Sequence, residues 1–74
     1  MTTIHFEKRF GTVAVEKGFV TVEQVLEAIE IQIKENMEQN KHRFIGTVLV
    51  EQRHMRHSQI QEVLVSMDIP NGSD

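Results

Sequence analysis

The sequence feature that most constrains the fold is an internal repeat with a period of 35 residues. Residues 10–16 (FGTVAVE) align with residues 45–51 (IGTVLVE), and five of the seven pairs are identical. The apolar positions that follow stay apolar in both copies: Val20, Val25, Ala28 and Ile29 align with Met55, Ile60, Val63 and Leu64. Such self-similarity indicates a duplicated supersecondary unit whose copies pack on a common core. We therefore predict one domain over residues 1–70 with two repeats, 9–32 and 44–67, followed by a disordered tail over 71–74.

The second part of each repeat has the pattern of an amphipathic helix. In the first repeat, Thr21 is a candidate N-cap and Gln24 stands where a capping box has Glu or Gln. Apolar residues follow at helical spacing on one stripe, which consists of Val22, Val25, Leu26, Ile29 and Ile33. In the second repeat a shorter stripe leads to a proline, and Ser58 is the candidate N-cap. We predict helices near residues 21–38 and 58–68.

The first part of each repeat fits two structures. Residues 12–15 and 19–22 are β-branched runs on either side of a turn that contains glycine, which is typical of a hairpin. The apolar spacing also fits one helical face, with Gly18 as the left-handed residue that ends the helix. The second repeat has Arg53 in place of Gly18, and arginine tolerates a positive φ poorly, which counts against a hairpin there. The residues alone therefore leave two folds open: an all-α fold of two helix-turn-helix units, or a ββα unit repeated twice.

Composition excludes several classes of function. The chain has eight Lys and Arg against eleven Asp and Glu, a formal net charge of −3, whereas nucleic-acid-binding domains usually carry an excess of positive charge. Cysteine is absent, which excludes disulfides and thiolate metal ligands. The first residues lack the apolar segment of a signal peptide, and no apolar run approaches the roughly 20 residues of a membrane span. We therefore expect a cytoplasmic protein that binds no nucleic acid and does not cross a membrane.

The sequence contains no pattern that is typical of an enzyme. It has no nucleophile–base pair and no phosphate-binding P-loop. His54 and His57 are three residues apart but lack a third ligand nearby, so we expect no metal and no other cofactor. Basic residues form three clusters, over 8–9, 41–43 and 53–57, which suit either contacts to one anion or solvated surfaces.

The spacing of the first repeat resembles a known tandem motif. Arg9, Gly11, Gly18 and Gln32 match, and Phe10, Ala14, Val20, Val25 and Ile29 match conservatively, the motif of the MshEN-type N-terminal domains of type II secretion and type IV pilus assembly ATPases. The resemblance covers nearly the whole chain. It implies an all-α fold, and therefore further helices near residues 10–17 and 46–53. In that family, some domains bind cyclic di-GMP between two motifs, and others dock onto inner-membrane platform proteins.

The resemblance also implies a set of candidate ligand-binding residues: Arg9, Phe10, Gly11, Gly18 and Gln32 in the first repeat, and Arg43 and Gly46 at the second. In a nucleotide-binding member, the glycines would allow close approach of a flat bis-phosphate ligand. The arginine would pair with a phosphate or a guanine edge, and the glutamine would contact a polar edge.

The second repeat departs from this motif at three positions. Phe44, Arg53 and Met67 stand where the first repeat has its arginine, second glycine and glutamine. Arg43 lies one residue upstream of the required position, which on a helix is a rotation of about 100°. The sequence therefore favours a stand-alone regulatory or docking module that binds a protein partner, such as a secretion or pilus component, with a cyclic di-GMP receptor as the alternative.

The long second helix also predicts self-association. Its stripe continues to Met37 and extends beyond the partners that a small core supplies. Because a small domain gains stability by oligomerising, we expect a homodimer.

Overall fold

The computed structural model describes the backbone of residues 2–67 and the side chains of residues 6–67. Within that part of the chain all regular structure is helical. The four helices are α1 (Thr2–Glu16), α2 (Val22–Gln39), α3 (Ile45–Glu51) and α4 (His57–Ser66). The all-α prediction is confirmed, and the ββα alternative is wrong for these residues. The predicted tail, 71–74, lies outside the described residues.

Helix boundaries differ from the sequence prediction mainly at α1. This helix begins at Thr2 rather than near residue 10, so helical residues 2–9 precede the repeated segment. The alignment of the repeats does not predict these residues as helix, because the second copy has no helical equivalent: residues 40–44 form the connection between α2 and α3.

The two repeats end their first helix with the same backbone turn. After α1, Gly18 N donates to Val15 O and Phe19 N to Ala14 O, and Gly18 has a φ of 79°. After α3, the corresponding amides of Arg53 and His54 donate to residues 50 and 49, and Arg53 has a φ of 67°. Both turns have the hydrogen-bond pattern of a Schellman motif. Arg53 therefore adopts the positive φ that arginine tolerates poorly.

The second helices of the repeats begin with related but unequal caps. Thr21 Oγ1 accepts from Gln24 N at 3.1 Å, and Gln24 Oε1 accepts from Thr21 N at 3.0 Å, so the predicted capping box of α2 is complete. At α4, Gln59 Oε1 accepts from Arg56 N at 2.9 Å. The second bond of a capping box is missing, because the arginine side chain has no acceptor atom for the backbone N–H of Gln59. The prediction of Ser58 as the N-cap is wrong. Arg56 aligns with Thr21 and holds the capping position, and Ser58 lies inside α4.

The core is built from aligned positions of both repeats. It consists of Phe10, Ala14, Val20 and Ala28 from the first and Ile45, Val48, Leu49, Met55, Val63 and Met67 from the second. The closest helix pairs join different repeats: α2 packs on α3, and α1 packs on α4 and α3. Residues of α1 and α2 of the first repeat line a groove.

Candidate functional site

The groove between α1 and α2 has a volume of about 800 Å³ and is largely apolar. Its α1 wall contains Gly11 and Val15, with Lys8 and Glu16 near its edges. Its α2 wall is a continuous apolar stripe: Val22, Val25, Leu26, Ile29, Ile33 and Met37. Val22, Leu26 and Ile33 are each more than half exposed, and Met37 is 80 % exposed.

The stripe stays exposed because α2 uses another face to join the core. Ala28 is its fully buried residue and lies more than a quarter turn away from Leu26 and Ile33 around the helix. The helix therefore carries two apolar faces, one against α3 and one lining the groove, with Glu23, Glu27 and other charged side chains on its outer side. An amphipathic surface helix needs only one such face.

Gly11 sets the distance between the two walls. A Cβ added at Gly11 would lie 3.0 Å from Val25 Cγ1, closer than nearly all real contacts of that kind. The aligned Gly46 has a different neighbour, since an added Cβ there would lie 2.5 Å from Phe44 Cε2. Gly11 and Gly46 thus permit close packing within the protein itself.

At one side of the groove, a buried carboxylate links three segments of the chain. Gln32 Nε2 donates to Glu7 Oε1 at 2.6 Å and to Arg43 O at 2.7 Å. His42 Nε2 lies 3.3 Å from Glu7 Oε2. Glu7 is only 7 % exposed, although its carboxylate lines the groove together with Gln32 and His42. The cluster joins α1, α2 and the connection that follows α2.

Arg43 is held by two carboxylates. Its Nε and Nη2 donate to Glu35 Oε1 and Oε2 at 2.9 and 2.7 Å, and its Nη1 donates to Glu51 Oε1 at 2.6 Å. The hydrogen bonds from Arg43 hold the pKa of Glu35 below its usual value, and the hydrogen bonds to Glu35 and Glu51 raise the pKa of Arg43. The guanidinium thus connects α2 to α3, and three of its five N–H donors bond Glu35 and Glu51.

The remaining candidates of the sequence prediction lie apart from the groove. Phe10 is fully buried, and its ring meets the edge of Phe44 at a centroid distance of 4.9 Å. Gly18 ends α1, and Gly46 packs under Phe44. Arg9 is exposed and does not line the groove. Of the seven candidates, the structure brings only Gly11 and Gln32 to the groove.

Glu7 is the groove residue that sequence reasoning missed. The sequence does indicate that Glu7 is buried, because it precedes Phe10 by three positions and Ala14 by seven and so lies on the same face of α1. A charged residue on a buried stripe needs hydrogen-bond partners, which here are supplied by residues 25 and 35 positions away.

Among the side chains that the structure describes, those of residues 6–67, no group of three or more His, Asp or Glu is arranged to hold a metal ion. His54 instead lies 3.5 Å from the Glu27 carboxylate. None of the helices in this part of the chain combines the length and the apolar character that crossing a membrane requires.

Comparison of the chain with protein-family models, with curated proteins and with solved structures found no match. The resemblance to the secretion and pilus ATPase domains therefore stays a prediction that rests on the motif residues alone.

Proposed function

We propose that this protein is a docking module that binds a helical segment of a partner protein in the groove between α1 and α2. The observation that carries the proposal is the exposed stripe of α2, in which Leu26, Ile33 and Met37 are all more than half exposed. A contiguous apolar surface edged by charged residues is typical of an interaction site. Covering it would remove apolar area from water at roughly 25 cal/mol per Å².

The dimensions of the groove suit a helix. The stripe runs over Val22, Leu26, Ile29, Ile33 and Met37, with the spacing of three and four residues that helix-in-groove recognition uses. With its 18 residues, α2 is about 27 Å long, so a partner helix of about four turns would follow the whole stripe.

The second candidate is a cyclic di-GMP receptor, and one observation favours it: Gly11 and Gln32, two residues of the motif, line the groove. The charges favour docking instead. A dianionic ligand needs several cations, but the titratable groups lining the groove are Glu7 and Glu16 beside Lys8 and His42. Arg43, the other candidate cation, is bound to Glu35 and Glu51. If the resemblance to the ATPase arms holds, the partner is a component of a secretion or pilus machine.

A site-specific photo-cross-linker tests the docking proposal. It is placed at Leu26 in the groove and, as a matched control, at Val65, which is 75 % exposed on α4. We expect an adduct with a defined helical segment of another protein from Leu26 and none from Val65, and we expect Ile33→Asp to remove it. Equal adducts from both positions would overturn the proposal.

Calorimetry with cyclic di-GMP tests the alternative. We expect little or no heat from the intact protein and the same result from Arg9→Ala. Tight binding that Arg9→Ala abolishes would instead establish a nucleotide receptor.

A further inference from the structure

The chemistry of the partner can be inferred from the charges that border the groove. This step rests on the docking proposal and adds the sign of the partner's charge to it. The apolar stripe says only that the partner presents apolar side chains, whereas the titratable groups around the stripe discriminate between basic, acidic and neutral helices.

The first observation is the position of the Glu7 carboxylate. It lies on the wall of an apolar groove, is nearly buried, and has as its described partners the neutral amide of Gln32 and the imidazole of His42. A carboxylate has about four acceptor positions, and these two contacts occupy two of them. A buried carboxylate is stabilised by a nearby cation with hydrogen bonds to donate.

The second observation is the edge of the groove. α2 carries five glutamates against one lysine. Glu23 and Glu30 each follow a stripe residue by one position, about 100° around the helix, and both are exposed next to the stripe, outside the lining of the groove. Glu16 lies at the end of the opposite wall, where Lys8 is the basic residue. The exposed border of the stripe on α2 therefore carries more acidic than basic groups, whereas the lining of the groove has Glu7 and Glu16 beside Lys8 and His42.

A second copy of the chain fits this edge poorly. Two α2 helices packed in parallel about a two-fold axis would bring Glu23 and Glu30 next to the same glutamates of the other copy. Like charges at close range disfavour such a pairing. The stripe that predicts a homodimer thus has flanking charges that oppose a parallel one.

We propose that the occupant of the groove is a basic amphipathic helix of a partner protein. Its apolar face covers Leu26, Ile29 and Ile33, one Lys or Arg side chain reaches the Glu7 carboxylate, and further basic side chains lie along Glu23 and Glu30.

The test uses three synthetic 18-residue peptides and the full chain. The first peptide has a Leu stripe with Lys flanks, the second has the same stripe with Glu flanks, and the third has the composition of the first in an order without a stripe. Binding is followed by fluorescence anisotropy at low and at moderate salt. We expect the first peptide to bind at least tenfold more tightly than the other two, with affinity falling as salt rises.

Matched variants separate the two contacts. Glu7→Gln keeps an acceptor for Gln32 and should weaken the binding of the basic peptide about tenfold. The double change Glu23→Gln with Glu30→Gln leaves the core untouched and should reduce the salt dependence. Glu62→Gln, an exposed residue of α4, should change neither. Circular dichroism confirms that each variant keeps the helical fold.

The remaining outcomes overturn the inference, and they do so in distinguishable ways. Equal binding of the basic and acidic peptides, abolished in both cases by Ile33→Asp, would leave docking intact and remove the charge preference. Binding by neither striped peptide would overturn the basic helix as occupant, and the cross-linking at Leu26 would then decide the docking proposal alone. A dimer in sedimentation that Ile33→Asp dissociates would make a second copy the occupant.

Discussion

The two repeats contribute differently to the molecule, although their helices and turns match. The second repeat supplies Ile45, Val48, Leu49, Met55, Val63 and Met67 to the core. The first supplies smaller side chains at aligned positions, such as Ala14 where the second has Leu49, and Ala28 where it has Val63. In exchange, the first repeat exposes the long stripe of α2. The comparison indicates that the second copy supplies most of the buried core and the first copy most of the exposed apolar surface.

The same division accounts for a departure from the tandem motif. Phe44 stands where the first repeat has Arg9, and its ring packs between Phe6, at 5.7 Å, and Phe10, at 4.9 Å. A basic side chain at this position would place a charge next to the rings of Phe6 and Phe10. Phe44 is partly buried and packs against the core.

The largest effect is expected from truncating one leucine in each repeat. Leu49 is fully buried, so Leu49→Ala should lower the free energy of unfolding by about 2–5 kcal/mol. Leu26 is 59 % exposed, so Leu26→Ala should change it by less than about 0.5 kcal/mol. Urea unfolding followed by circular dichroism measures both. Similar losses for the two variants would contradict the division between buried core and exposed surface.

Both turns should be more stable with glycine at the position of positive φ. Gly18→Ala places a side chain at a φ of 79° with open space around it, so backbone strain alone should cost about 1 kcal/mol. Arg53→Gly relieves the same strain at 67° and should stabilise the protein by about 0.5 kcal/mol. Thermal unfolding of both variants is the measurement. A destabilised Arg53→Gly would mean that the arginine side chain makes a contribution larger than its strain.

The caps provide a smaller contrast. Thr21→Ala removes half of a complete capping box and should cost up to about 1 kcal/mol. Arg56→Thr supplies the acceptor that α4 lacks and should add about 0.5 kcal/mol. Ser58→Ala is the control, and because Ser58 lies within α4 we expect almost no change. A loss from Ser58→Ala equal to that from Thr21→Ala would contradict the cap assignment.

The smallest effect is expected from the ion pair that joins the repeats. Because Arg43 holds the pKa of Glu35 below its ordinary value of 4.5, the pair contributes stability above that pH and loses it as the pH falls through the folded-state pKa. Glu35→Gln should therefore be slightly less stable than the parent protein at pH 7, and the difference should shrink as the pH falls below 4.5. Glu38→Gln, on the same helix, serves as the control. A Glu35→Gln difference that stays constant as the pH falls would assign it to packing.

The fold was predictable to a large extent because its determinants are local or repeated. The capping box of Thr21 and Gln24, the helical spacing of the stripe and the alignment of the repeats are all visible in the sequence. The cap of α4 was missed because residue preference favoured Ser58, whereas the register of the repeat favours Arg56. The start of α1 at Thr2 was missed because residues 2–9 have no helical counterpart in the second repeat.

The candidate site was less predictable, because long-range contacts decide it. The motif residues Gly11 and Gln32 reach the groove, but Gln32 is bonded to Glu7 and to the Arg43 carbonyl. The partners of the Arg43 side chain are Glu35 and Glu51, which lie near the ends of α2 and α3. The spacing of residues in the sequence does not predict that these two helices come into contact. The exposure of the stripe likewise depends on which face of α2 meets α3.

The central claim, that the α2 groove receives a basic helix, is tested most directly by methyl NMR on the full chain with the Leu-striped basic peptide. The account predicts intermolecular nuclear Overhauser effects from the peptide to the methyl groups of Leu26, Ile33 and Met37, and none to Val65. Effects confined to Val65 and its neighbours on α4, or contacts between two copies of the chain through Ile33, would contradict it.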